Sequence, residues 1–203
     1  IDLREDDSLK IIDINRFKLV ELIIYGCQKC ESIIITNAES ANIYISEENN
    51  GEEINGEEIN GEFVLDDFTS LADLTIMGYT ITTPISLSSS TTNETFKSLN
   101  LTGSTCESIN LSFDTFTKIK GIIFTNCTNL YKFNDKPQNE FIATGVTTLE
   151  TVSLDNTKFK VINVNGSLNI KSISIPSLVE YVGMNELSNI GSFDMTKYEN
   201  LYY

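Results

Sequence analysis

The chain has 203 residues, 40% of them apolar, no His and no Trp, and a formal net charge of −15. The apolar share supports a packed core and argues against a disordered chain, while the negative charge repels phosphate backbones and anionic lipid and argues against nucleic acid as a partner. Without His, neither a Ser-His-Asp nor a Cys-His pair can be assembled.

The charge is uneven along the chain. Residues 1–70 hold 17 acidic and 5 basic side chains, and the two Arg, Arg4 and Arg16, make no basic patch. The composition is rich in Ile, Asn, Ser and Thr and poor in Ala, a mix that favours strands and turns over helices. No apolar run approaches the ~20 residues that span a bilayer as a helix. A start at Ile1 rather than Met reads as a processed product or an excised piece.

From residue 9 onward the sequence is built on apolar alternation. Ile12-x-Ile14, Leu22-x-Ile24, Ile33-x-Ile35 and Ile43-x-Ile45 begin 10 or 11 positions apart. Leu74-x-Ile76 and Ile85-x-Leu87 repeat the spacing, as do Leu99-x-Leu101 and Ile109-x-Leu111. Val152-x-Leu154, Ile162-x-Val164 and Ile173-x-Ile175 follow. Each triplet reads as a strand with one buried face. The five or six residues between strands are too few for a regular helix. A short and a long linker alternate, so two strands complete a coil of about 21 residues, the period of a solenoid. A single coil buries too little apolar surface to offset the entropy of ordering it. Stacked coils cover both faces of every inward side chain and pair every strand edge.

The pattern L-x-x-L-x-L-x-x-C-x-x-L, carried by Leu19 to Cys30 and by Ile119 to Leu130, resembles the leucine-rich repeat. It is most similar to the strand-rich bacterial-type repeats, including the BspA-like group common on microbial surfaces, although that group's Gly-x-x-Ala-Phe turn block is missing. The resemblance covers roughly residues 9–46, 71–133 and 149–195. It implies that an Asn, Cys, Ser or Thr after the strand bonds the backbone of the neighbouring coil. Cys27, Ser104, Cys127, Thr157 and Ser167 occupy that position. The expected fold is mainly β, a right-handed leucine-rich-repeat solenoid over residues 1–203 with two short parallel strands per coil. The alternative is a right-handed parallel β-helix, which shares the strand periodicity.

The frame breaks at 47–70, 88–95 and 134–148, which read as excursions, and it drifts after 176. The first contains NNGEEINGEEINGEF, rich in turn-forming Asn-Gly and Gly-Glu pairs. Its Glu spacing does not match an EF-hand loop, and it reads as a solvated surface excursion. Loops at one edge of a solenoid often carry specificity. At the C-terminus Tyr198, Leu201, Tyr202 and Tyr203 read as a cap over the last coil, the alternative being that the chain continues or stacks on a partner.

Candidate chemistry is sparse. The sequence has no Gly-rich phosphate loop. Cys27-x-x-Cys30 lacks a second such pair for zinc, and Cys106 and Cys127 lie one repeat apart, so all four thiols read as small core residues. Asp6-Asp7 and Asp66-Asp67 lie outside the regular coils. Sequons occur at Asn93, Asn100, Asn110, Asn126 and Asn165. The outward strand positions Asp13, Ser86, Asn100, Asn110, Ser153, Asn163 and Ser174 form a small polar wall that suits sugars or a protein surface. The expected function is a non-catalytic recognition or adhesion module that binds protein or glycan on a microbial cell surface, with no catalytic residues, metal or cofactor. The alternative is a structural or receptor-binding component of a virion. Neither reading involves nucleic acid or membrane insertion, and self-association is compatible with both.

Overall fold

A computed structural model describes residues 2–4, 8–15, 21–25, 32–36, 42–45, 61–64, 71–77, 84–191 and 193–201. The strands in chain order are β1 (Asp2–Arg4), β2 (Ile11–Asn15), β3 (Glu21–Tyr25), β4 (Ser32–Thr36), β5 (Asn42–Ile45) and β6 (Gly61–Val64). Next come β7 (Asp73–Met77), β8 (Ile85–Ser88), β9 (Ser98–Asn100), β10 (Ser108–Leu111), β11 (Gly121–Ile123) and β12 (Lys132–Phe133). The last are β13 (Glu140–Ile142), β14 (Thr151–Ser153), β15 (Val161–Asn163), β16 (Ser172–Ser174) and β17 (Tyr181–Gly183). A short 3-10 turn, Met195–Lys197, follows.

These strands form a β-solenoid with parallel pairing between successive coils. One wall is a seven-stranded sheet in the order β2-β4-β7-β9-β11-β14-β16. The opposite wall is a seven-stranded sheet, β1-β3-β5-β6-β8-β10-β12, continued by a three-stranded sheet, β13-β15-β17. The register explains the sequence pattern. Ile12, Ile33, Leu74, Leu99, Ile122, Val152 and Ile173 stack as one column across the first wall. Its members from Ile12 through Val152 are buried, and Ile173 packs at the edge of the same core. The intervening positions Asp13, Ile34, Thr75, Asn100, Ile123, Ser153 and Ser174 form an outward column beside it. A one-residue slip would exchange the two columns, so the aliphatic alternation fixes the register.

Aromatic rings fill the core where the second wall changes sheet. Phe133 lies 4.7 Å from Phe141, 5.8 Å from Phe113 and 6.1 Å from Phe124, centroid to centroid. Phe141 continues to Phe159 at 5.8 Å. At the C-terminal end Phe193 and Tyr198 stack at 5.8 Å, and both pack with Leu201 against the core. Tyr202 and Tyr203 lie outside the described residues.

Two stretches expected to leave the coils contain strands. Within 47–70, β6 pairs with both β5 and β8. Within 134–148, β13 starts the three-stranded sheet. Neither carries the aliphatic triplet on which the alternation was read. In β13 the single buried Phe141 does the anchoring, with a volume that replaces two smaller side chains. Within 88–95, Asn93 bridges to Phe116 and accepts from the Phe96 N–H at 2.9 Å, so the chain rejoins the core there.

Candidate functional site: a wedge at a split in the wall

Among the described residues, six corners of the solenoid are made by a short repeated turn. Gly103, Asn126, Gly145, Asn156, Gly166 and Glu186 all have positive φ, between 59° and 71°. Each lies three positions after the end of a strand and reverses the chain towards the next wall. Left-handed backbone strongly favours Gly, and Asn tolerates it best among the rest. This Gly/Asn ladder was legible as a recurring Gly or Asn before the small polar residue, but alternation of apolar residues does not register it.

The next residue in four of these turns is a predicted repeat position. The Ser104 hydroxyl donates to the Ile76 carbonyl of the preceding coil at 3.0 Å. The Cys127 thiol donates to the Leu101 carbonyl at 2.9 Å. The Ser167 hydroxyl donates to the Ala143 carbonyl at 2.6 Å and accepts from the Val146 N–H at 3.0 Å. Thr157 instead turns its hydroxyl to the Leu154 carbonyl of its own turn, at 2.8 Å. All four are buried. Cys27, Cys30, the Asp6-Asp7 and Asp66-Asp67 pairs and the acidic stretch 47–60 lie outside the described residues. Cys106 and Cys127 are free, buried thiols, and the hydrogen bond to Cys127 together with burial pushes the Cys106 thiol above its ordinary range.

The coil between β11 and β14 differs from its neighbours. On the first wall these strands are direct neighbours, although Gly121 and Thr151 are 30 positions apart. On the second wall the same coil carries two strands, β12 and β13, where its neighbours carry one. The chain leaves β12 at Asn134 (φ 56°), loops through Pro137 and returns at Asn139 (φ 65°) without crossing to the first wall. The segments 112–120 and 143–150 therefore share a corner without a third segment between them. At the first wall they close to one strand spacing: the Glu150 N–H donates to the Lys120 carbonyl at 2.7 Å, and Lys120 Nζ meets the Glu150 carboxylate at 2.8 Å. At the second wall β12 holds them one further layer apart, an extra ~4.8 Å. The result is a wedge-shaped cleft of about 870 Å³.

One bank of the wedge is Asn110 to Asp114 with Thr117, and the other is Ile142 to Thr148. Asn134, Asp135 and Lys136 close the inner end, and Leu87 contributes to the floor. Apolar surface from Leu111, Phe113, Ile142 and Val146 alternates with hydroxyls from Ser112, Thr117, Thr144, Thr147 and Thr148. The carboxylates of Asp114 and Asp135 and the ammonium of Lys136 are its charged groups. Of the outward polar positions expected to form a binding wall, the structure brings Asn110 alone into the wedge. Asn100, Ser153 and Ser174 belong to the opposite wall, where the Ser153 and Ser174 hydroxyls bond each other at 2.8 Å.

Asn134 shows what the missing segment leaves behind. At the same corner one coil further on, the Ala143 and Gly145 N–H groups donate to the Asn163 and Asn165 carbonyls, both at 2.8 Å. The next coil repeats this from Val164 to Gly183 and from Gly166 to Asn185. The corresponding donors above the wedge are Leu111 and Phe113. The Leu111 N–H is met at 2.6 Å by the Asn134 side-chain oxygen, which replaces a backbone carbonyl.

The closed end of the wedge is ionic. Glu150 accepts from Lys120 and from Lys171, the latter at 2.6 Å, and these bonds lower its carboxyl pKa to about 2. Among the described residues no group of three or more His, Cys, Asp or Glu is placed to hold a metal ion, and no helix is long and apolar enough to cross a membrane. The wedge offers hydrogen bonding and apolar contact. No family model, curated protein or solved structure matches the chain.

Proposed function

We propose that this protein is a non-catalytic recognition or adhesion module that displays its corner wedge to a protein or glycan on a microbial cell surface. One observation carries this reading: a stack of parallel coils opens, at the corner between β10 and β13, into a cleft that mixes hydroxyl, amide, carboxylate and apolar groups. Binding sites of this kind are concave, partly apolar and largely pre-formed. A leucine-rich-repeat origin for the coils is part of the proposal. It is supported by the hydroxyl and thiol bonds from Ser104, Cys127 and Ser167 to the preceding coil. The experiment is a screen of the whole chain against a glycan array and a display library of surface proteins, with product analysis on every hit. Binding without turnover is expected. Cleavage of a bound glycan would overturn the non-catalytic reading.

A further inference from the structure

We infer that the wedge is a strand-addition site for an extended, basic segment of a partner polypeptide. The inference rests on the recognition reading above and names the occupant of that same cleft.

The first argument is the open backbone. In β13, the Val161 N–H donates to the Asn139 carbonyl and the Ala143 N–H donates to the Asn163 carbonyl. Odd-numbered residues of this segment therefore spend their peptide groups on β15. In a parallel ladder the alternate residues face the other edge, so the peptide groups of Ile142 and Thr144 face the wedge. Across it, the Phe113 N–H has no protein partner among the described residues, and neither does the Thr144 peptide. β12 does not cover this edge. The Asn139 N–H reaches the Tyr131 carbonyl at 2.6 Å, and beyond that bond no ladder joins β12 to β13. Peptide groups two residues apart along one edge, ~6.6 Å, match the repeat of an added strand. The units of a glycan chain do not share that repeat.

The second argument is side-chain complementarity. Phe113, Ile142 and Val146 provide apolar contact for alternate residues of such a segment. Asp114 and Asp135 are exposed at the cleft and outnumber its one cation, Lys136, so they favour Lys or Arg on the residues that point outward. The Asn134 amide already meets the innermost donor. The open groups begin immediately outside it.

The test uses the whole chain and synthetic acetylated hexapeptides that alternate Val with Lys. Titration by calorimetry is expected to give saturable binding. N-methylation of one alternating set of peptide amides should weaken it at least tenfold, since each lost amide bond is worth on the order of 1 kcal/mol and more than one is lost, and methylation of the other set should change it little. Thr147→Trp on one bank and Thr117→Trp on the other should each abolish binding while the melting temperature stays unchanged. Peptide binding that survives both Trp variants, or that ignores methylation, overturns the inference. A glycan-array signal lost in both Trp variants, with no peptide binding, also overturns it but leaves the recognition reading standing. Silence on both peptides and glycans overturns both.

Discussion

Single residues set the corners of this solenoid. Glu186 holds φ 66° where the equivalent turns use Gly or Asn. A side chain in left-handed backbone costs roughly 1–2 kcal/mol. Glu186→Gly is therefore expected to raise stability by about 1 kcal/mol, read by urea denaturation. Asn156→Ala should lower it by about 1–2 kcal/mol. It keeps φ 59° without Asn's tolerance for it, and it removes the 2.7 Å bond from Asn156 to Asn126. Glu150 provides a pH signature. Its carboxyl pKa is lowered to about 2 by Lys120 and Lys171. A depressed folded pKa gives stability that is fully present above the unfolded value of 4.5 and is lost as pH falls towards 2. Glu150→Gln should flatten the stability profile in that window and leave it unaltered near pH 7 apart from the lost pair. The effect should shrink with added salt, because the group is partly exposed.

At the scale of elements, what matters is how one coil is held to the next. Ser167 satisfies both a carbonyl and an N–H of the preceding turn. Ser167→Ala leaves the buried Ala143 carbonyl and the part-buried Val146 N–H without that partner and should cost about 1–3 kcal/mol, whereas Ser167→Cys should cost less, because Cys127 makes the same bond to a carbonyl in its own coil. Phe133 touches three other rings at the point where the two sheets of the second wall meet. Phe133→Ala should cost about 3–5 kcal/mol, since a coil held between rigid neighbours cannot collapse into the cavity. Chemical denaturation of the two variants separates the effects. The aliphatic triplets were enough to place β2, β3, β4, β5, β7, β8, β9, β10, β14, β15 and β16, because alternation reports burial directly. They were not enough for β6, β12 or β13. Those strands are held by parallel neighbours and, in the case of β13, by one large ring, and neither leaves a periodic trace.

For the molecule as a whole, the wedge arises where an extra strand on the second wall is left unpaired. The coils from β4 to β7 and from β11 to β14 each have two strands on the second wall and none between them on the first, but β5 pairs with β6 whereas no ladder joins β12 to β13. Deleting residues 133–140 would join Lys132 to Phe141 and bring this coil back to the length of its neighbours. Phe141 would then take the place of Phe133. The shortened chain is expected to keep its far-ultraviolet strand spectrum, to melt at or above the temperature of the full chain, and to bind neither peptide nor glycan. Loss of the strand spectrum would show that the extra layer is needed for folding. Stability in a stack of this kind is the sum of each coil and its contacts with two neighbours, so restoring a regular layer should not weaken the rest.

The sequence by itself determined the period, the inward columns, the parallel stacking and the small polar residues after the strands. All of these follow from local alternation and from the need to bury one face of every strand. Only the tertiary structure decided where a coil fails to cross between walls. That depends on Asn134 and Asn139 turning the chain back and on Phe133 and Phe141 sharing one stack. The break in the alternation at 134–148 marks the place, but those relations join residues by their layer and not by their spacing along the chain, so periodicity does not show that an open corner results.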